Sequence, residues 1–146
     1  MKLSGSIPST CSPEKLLQLL GDPITLGKIA PEGFVFAENR ADTVPFTFRR
    51  RIGVIVLNLA GQMTLFQSAD KTSSHIDIQA DHRIGGGLSI KLDIVQQTGP
   101  DRSPILAWTG LMTARGLTAR IVKDRAAEAD KIVRTLFERL AAQAAN

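Results

Sequence analysis

The spacing of apolar residues changes along the chain, and this change constrains the fold more than any other feature of the sequence. From residue 34 to residue 113 apolar residues recur at every second position, as they do in strands that bury one face. After Gly116 they recur about every 3.6 residues, as they do in an amphipathic helix. This order predicts an α+β fold in which a curved antiparallel sheet precedes a long C-terminal helix.

Turn residues divide the middle segment into about six predicted strands. Turns are predicted at residues 39–42 and 98–101, Gly53 predicts a bend, and the glycines at 85–87 predict a hairpin tip. The predicted strands cover residues 34–38, 45–52, 54–67, 73–82, 88–96 and 105–112. Lys2–Ile7 adds a first strand, so the sheet should contain about seven strands.

Helices are predicted on both sides of this segment. Ser12 can cap a short helix that begins at Pro13, and Asp22 with Pro23 repeats the same start pattern. The C-terminal helix would contain about 28 residues and be ~42 Å long, enough to lie across a curved sheet. Its apolar stripe consists of Leu117, Ile121, Ala129, Ile132, Val133, Leu136, Phe137, Leu140 and Ala144.

Length and composition indicate one globular domain that spans residues 1–146. Cys11 is the single cysteine, which excludes an intramolecular disulfide and a thiolate zinc site. No apolar segment of the kind found in signal peptides follows Lys2, and the longest apolar run, residues 52–61, is far shorter than the ~20 residues of a membrane-spanning helix. We therefore expect a cytoplasmic protein whose membrane contact, if it has one, is peripheral.

The net charge of +4 favours anionic partners weakly and admits both nucleic acids and acidic lipid surfaces. Tyrosine is absent and aromatic residues make up only 5% of the chain, so the stacking platforms of single-stranded nucleic-acid binders are scarce. We expect no nucleic-acid partner and interpret the basic balance as a solubility feature.

The residue types that usually perform catalysis are sparse. The sequence has no G-x-S-x-G motif, and His75 and His82 are its only histidines. His75, Asp77 and Asp81 fall on one face of a predicted strand, but a solvated outer face explains them better than a metal or acid–base site. Cys11 precedes a helix and lacks a resolving partner in sequence, so an inert thiol is expected. We expect no catalytic residue, no metal site and no cofactor.

Several short segments, in their order along the chain, resemble one known superfamily. They are Gly5-Ser6-Ile7-Pro8 before Ser12-Pro13-Glu14-Lys15, Asp22-Pro23 with Pro31-Glu32-Gly33, Arg51-Ile52-Gly53, Leu59-Ala60-Gly61-Gln62-Met63, the hairpin from Ile84 to Ile94, and Phe137-Glu138-Arg139-Leu140. The resemblance is to the START/Bet v1-like (SRPBCC) superfamily, and within it to the carbon monoxide dehydrogenase G-subunit family. It covers nearly the whole chain and depends on order and spacing more than on invariant motifs.

This resemblance implies a helix-grip fold, in which the sheet wraps the final helix incompletely and leaves an apolar cavity. Members of the G-subunit family are associated with membrane recruitment of a molybdenum hydroxylase and with lipid-like or quinone-like ligands. The resemblance therefore implies an apolar small molecule, a redox enzyme complex and the inner membrane surface as partners.

Alternation along the strands places many apolar residues on the face toward the helix, where they form either a packed core or a cavity wall. Arg50 departs from this pattern, because alternation places it beside Phe46 and Phe48. Its side chain would either extend to solvent or an acidic partner, or bind the polar head of a ligand. The candidate cavity residues are Arg50, Leu57, Leu59, Met63, Leu92, Leu106, Trp108, Met112, Ile132 and Leu136.

The opposite face of the third predicted strand is also apolar. If Leu57 and Leu59 point inward, then Val54, Val56, Asn58 and Ala60 point outward, because side chains alternate along a strand. Such a stripe suits a second subunit, a partner enzyme or a membrane. We favour a protein contact, a homodimer included, because the stripe lacks the aromatic residues of a membrane anchor. The candidate interface residues are Val54, Val56 and Ala60.

The leading functional hypothesis is a non-catalytic carrier or adaptor for a lipid-like or quinone-like molecule. One alternative is an enzyme of the same fold, such as a cyclase or a hydrolytic member. The other is a basic nucleic-acid-binding domain, whose affinity for duplex would fall steeply with salt.

Overall fold

The computed structural model of the chain describes residues 1–38, 42–52, 54–69, 72–82, 85–123 and 126–144, and for residues 52, 55, 121, 122, 126 and 144 it describes the backbone alone. Residues 39–41 of the predicted turn, the predicted bend at Gly53 and the first residue of the hairpin from Ile84 to Ile94 lie outside the described residues.

The described residues form one antiparallel sheet of seven strands. Each strand from β2 to β6 pairs with the next along the chain, and β1 pairs with β7, which gives the order β1-β7-β6-β5-β4-β3-β2. The strands are β1 (Lys2–Pro8), β2 (Phe34–Phe36), β3 (Thr43–Ile52), β4 (Ile55–Gln67), β5 (Ser73–His82), β6 (Gly87–Thr98) and β7 (Pro104–Arg115). The predicted α+β architecture is confirmed.

Two short helices connect β1 to β2, as predicted: α1 (Pro13–Leu20) and α2 (Pro23–Ile29). The Ser12 hydroxyl accepts a hydrogen bond from the Lys15 amide at 3.1 Å. The Asp22 carboxylate accepts one from the Ile24 amide at 3.2 Å. Both caps satisfy amides that have no partner within the first helical turn, and this fixes where each helix begins.

The C-terminal helix differs from the prediction, because it is divided into α3 (Gly116–Val122) and α4 (Ala126–Ala144). The helix α3 packs on β6 and β7, whereas α4 lies against α1, α2 and β1. With 19 residues, α4 is about 28 Å long, shorter than the predicted helix. The apolar period alone did not reveal the division, since each part keeps a helical repeat and neither proline nor glycine marks the boundary. Among the described residues, no helix is both long enough and apolar enough to cross a lipid bilayer.

One end of the space between sheet and helices is tightly packed. Side chains from β1, α1, α2, β7 and α4 meet there and are almost fully buried, with exposures of 0–1%. They include Leu3, Leu16, Leu20, Leu26, Leu106, Phe137 and Leu140. This cluster fixes α4 on the β1 and β7 side of the sheet.

Trp108 on β7 anchors this packed end. Its ring stacks on Phe137 of α4 with ring centroids 4.6 Å apart, and the Arg134 guanidinium lies 5.5 Å from its centroid. Gly5 on β1 permits this position, because a Cβ at residue 5 would collide with the indole ring. Arg134 also donates a hydrogen bond to the Ser6 carbonyl at 3.0 Å, which links α4 to the edge strand.

Gly61 on β4 allows the neighbouring strand to come very close. A Cβ there would collide with the Gln79 carbonyl and with the backbone and side chain of Ala80 on β5. Glycine at such a point permits a bend that a larger side chain would prevent. Glycine at position 61 therefore allows β4 and β5 to lie close together on the face of the sheet that carries Ala80.

Candidate functional site

The concave face of the sheet and α4 enclose a cavity of about 190 Å³. A single water molecule needs only about 10–15 Å³. The cavity thus has room for a molecule much larger than water, and it lies beside the packed end of the core. Both alternatives for the apolar strand faces occur: Leu106 and Trp108 belong to a filled core, whereas other inward residues, from Leu3 on β1 to Met112 on β7, line the cavity.

Three groups of elements supply the wall. The sheet contributes apolar side chains from β1 and from β3 to β7, α4 covers the opposite side, and α1, α2 and β2 close the remaining side. The sheet residues in the lining include Ile76, Ile78, Ala80, Leu88 and Ile90, and the helix residues include Ala129, Val133 and Phe137. Such a wall excludes water and offers dispersion contacts along its whole surface.

Most of the predicted cavity residues lie in this wall. The structure brings together Arg50, Leu57, Leu59, Met63, Leu92, Met112, Ile132 and Leu136 around the cavity. Leu106 and Trp108 are equally buried but lie outside the lining. Trp108 occupies the packed end with Phe137, so its bulk fills the space between sheet and helix instead of bordering an opening. The alternation of side chains along β7 correctly predicted that both residues point inward. It does not predict which inward residues α4 covers.

Four phenylalanines form an aromatic part of the cavity wall that was not predicted from the sequence. Phe34 and Phe36 of β2 and Phe46 and Phe48 of β3 all line the cavity, and they contact one another. The Phe34 and Phe48 rings are 4.5 Å apart at a tilt of 45°. The alternation that placed Arg50 beside Phe46 and Phe48 was the pattern that would have identified these residues. β2 is only three residues long, which is why its share in the wall was not evident.

Two charged residues, Arg50 and Glu128, occur in the described lining. Arg50 lies near the end of β3, where it pairs with Leu57 of β4, and Glu128 lies in the first turn of α4. Both side chains are exposed. Since they line the cavity and are also exposed, the lining of the cavity reaches the surface at these two residues. We call this opening the mouth.

His75, Asp77 and Asp81 of β5 lie on the convex face of the sheet, whereas His82 at the end of the strand is buried. The His75 ring contacts the Asp93 carboxylate and stacks on Phe66 at a centroid distance of 5.0 Å. Asp81 pairs with Arg115, and Asp77 accepts a hydrogen bond from Gln79 at 2.9 Å. Within the part of the chain that the structure describes, no three metal-ligating side chains come together. The pairing of these groups across strands agrees with the solvated outer face that alternation indicated.

Cys11 lies just before α1 and is buried. Burial raises the pKa of the Cys11 thiol, and the Lys15 ammonium offsets part of that rise. A raised pKa keeps the thiol protonated near neutral pH, and the protonated form is a poor nucleophile.

The predicted outer stripe of β4 is partly exposed. Val54 is 95% exposed, Ala60 is exposed, and Val56 is half-buried. Arg49 and Arg51 on the same hairpin are exposed as well. The described part of the hairpin therefore exposes Val54 close in sequence to two basic residues.

Comparison with known proteins identifies the fold. No protein-family model matches the chain, and no curated protein matches it in sequence. Among solved structures, a conserved protein from Geobacillus kaustophilus is similar over 99% of this chain and 95% of its own, with a TM-score of 0.77 and 15% identity.

Two further solved structures have descriptive names. A STAR-related lipid transfer protein from Xanthomonas axonopodis matches 98% of this chain and 85% of its own, with a TM-score of 0.63 and 6% identity. The di-domain ARO/CYC protein StfQ of the steffimycin biosynthetic pathway matches 99% of this chain and 44% of its own, with a TM-score of 0.54 and 9% identity. At such low identity these likenesses establish the START/Bet v1-like fold alone.

Proposed function

We propose that this START/Bet v1-like chain binds an apolar, lipid-like or quinone-like molecule in the cavity between its sheet and α4. The observation that supports this most strongly is the lining itself, which is apolar except for Arg50 and Glu128 at the mouth. Small-molecule sites are usually concave and apolar with a few polar groups that orient the ligand. The similar structure from Xanthomonas axonopodis is named as a lipid transfer protein, which agrees with this class of ligand.

Burial of apolar surface would supply the binding free energy. Each Å² of apolar ligand surface removed from water contributes about 25 cal/mol, so even a ligand of moderate size gains several kcal/mol before the cost of immobilisation. The wall is built from strands and a helix and not from long loops, so little of this gain is spent on ordering the site.

The role we propose is that of a carrier or adaptor and not of an enzyme. Arg50 and Glu128 lie at the exposed mouth, where they suit recognition of a ligand head better than chemistry on a buried bond. The ligand would then enter and leave unchanged.

At a finer level, we propose that the chain assists a redox enzyme complex. The resemblance to the carbon monoxide dehydrogenase G-subunit family suggests a molybdenum hydroxylase as that partner, with contact at the inner membrane surface. The exposed stripe of Val54, Val56 and Ala60 is the proposed contact site for this partner or for a second copy of the chain.

Native mass spectrometry of the protein purified from its source, followed by organic extraction, tests the ligand-binding proposal. We expect a bound apolar molecule in the wild type that is absent from Ile132→Trp, because the larger side chain would project from α4 into the cavity. Lys131→Trp is the matched control, since residue 131 is exposed. Equal ligand content in the two variants would contradict a site in this cavity, and a wild type that carries and accepts no apolar molecule would contradict the proposal altogether.

A further inference from the structure

The charges at the mouth distinguish between classes of apolar ligand. Arg50 projects from the concave face of β3, in line with Phe46 and Phe48, and lines the cavity opposite its strand partner Leu57. Across the residues that the structure describes, no ion pair or hydrogen bond engages the Arg50 guanidinium. A cation beside an apolar wall therefore has donors available to a ligand.

The second charged residue at the mouth, Glu128, differs from Arg50 because it has a partner within the protein. Arg49 and Arg51, on either side of Arg50, are exposed on the convex face and add positive charge near the same opening. The electrostatic balance at the mouth thus favours an anion.

We infer that the ligand is an anionic amphiphile, whose apolar body fills the cavity and whose carboxylate-type head binds the Arg50 guanidinium at the mouth. This inference rests on the proposed function and assigns the ligand class. The guanidinium presents paired N–H donors whose spacing matches the two oxygens of a carboxylate. The head would stay near solvent, so the site avoids the cost of burying an unpaired charge.

The wall also sets the direction in which the ligand lies. The wall next to Arg50 is aromatic, because Phe48 lies two residues before it on the same face of β3 and contacts Phe34. Other parts of the wall are aliphatic and include Leu20, Leu26 and Met112. The part of the ligand that follows the head would lie against the phenylalanine rings. The end of its apolar body would lie against the aliphatic part of the wall.

Displacement of the uncharged fluorescent probe N-phenyl-1-naphthylamine tests this inference. Dodecanoate and dodecanol share one chain and differ in the head, so each is titrated against the probe-loaded protein. For the wild type we expect dodecanoate to displace the probe at an about five- to tenfold lower concentration than dodecanol, the range between an exposed ion pair and a charge-assisted hydrogen bond.

Two arginine variants then separate direct contact from general attraction. Arg50→Gln should remove the preference, so that dodecanoate and dodecanol displace the probe at similar concentrations. Arg49→Gln removes the same charge one residue away on the convex face and should keep the preference. Circular dichroism checks that both variants are folded, which is expected because both side chains are exposed.

The remaining outcomes are distinguishable. Equal displacement by dodecanoate and dodecanol in the wild type, or an equal loss in the two variants, would overturn the anionic ligand and leave the proposed function standing. Uptake of neither the probe nor the two competitors would overturn the proposed function, and this inference with it.

Discussion

Trp108 joins three elements at the packed end of the molecule. It is only 2% exposed, stacks on Phe137 and lies under the Arg134 guanidinium. Because Gly5 leaves room for the ring, the indole fits between β1 and α4 without displacing either element. This one side chain therefore helps to hold the helix at a fixed distance from the sheet.

Trp108→Ala should destabilise the protein by about 3–5 kcal/mol, the usual cost of emptying a large buried aromatic site. Since Trp108 lies outside the cavity lining, probe uptake per folded molecule should change little. Chemical denaturation and probe titration measure the two effects separately. Lys131→Ala is the surface control, and a Trp108→Ala variant as stable as this control would show that the ring is not a packing anchor.

Cys11 should make stability depend on pH above neutrality. Burial raises the pKa of its thiol in the folded state, so the unfolded chain loses the proton first as pH rises. The contribution of the thiol to the free energy of unfolding is therefore fully present below about pH 8.5, the ordinary pKa of a cysteine in an unfolded chain. It is lost as the pH rises from there through the higher pKa of the folded state.

Urea denaturation between pH 7 and pH 10 tests this expectation. The wild type should lose more stability across this interval than Cys11→Ala does. The chain contains no tyrosine, which removes one group that would otherwise titrate near the upper end. Parallel pH profiles for the two proteins would contradict the raised pKa.

At the scale of elements, the hairpin of β3 and β4 combines an inner and an outer role. Its inner face supplies Arg50, Leu57 and Leu59 to the cavity, and its outer face exposes Val54 and Ala60. Both roles follow from strict alternation along an extended strand. A partner bound to the outer face would therefore lie close to the mouth.

Replacing Val54 and Val56 with lysine tests the proposed contact site. If the stripe mediates a dimer, light scattering should show the wild type at twice the mass of the variant, because added charge opposes burial of the interface. Binding to anionic vesicles is measured in parallel, and tighter binding of the lysine variant would indicate a surface that acts through charge alone. A monomeric wild type that ignores vesicles, with an unchanged variant, would leave the stripe without a role.

The elements were predictable where local rules decide them. The strand predicted at residues 73–82 is β5, and the caps at Ser12 and Asp22 begin α1 and α2 as expected. The division between α3 and α4 was not predicted, because the apolar period continues through both helices and does not show that α3 packs on β6 and β7 while α4 packs on α1, α2 and β1. The part of β2 in the wall was missed for a similar reason, because three residues are too few to show a period.

At the scale of the whole molecule, the alternation of apolar residues gave the direction of the side chains but not the volume between them. The same inward face includes Leu106, which is fully packed, and Leu59, which borders the cavity. Whether an inward side chain is packed or borders the cavity depends on the curvature of the sheet and on the position of α4. Long-range contacts such as Trp108 with Phe137 and the close approach at Gly61 determine both.

The central claim is that this interior space is empty of protein and takes up an apolar molecule. Ala80 is 4% exposed and lines the cavity directly across from Gly61, so Ala80→Phe would place a ring over the glycine and into the space. Ala142→Phe on the exposed face of α4 is the matched control.

Titration with N-phenyl-1-naphthylamine measures uptake of an apolar molecule, and thermal melting of the same samples shows whether the space can be filled without loss of stability. The account predicts that the wild type and Ala142→Phe take up the probe, and that Ala80→Phe loses this uptake while its melting temperature stays the same or rises. A wild type that takes up no probe, with Ala80→Phe destabilised by the ~1–3 kcal/mol typical of overpacking, would show that the interior is already filled and would contradict the account.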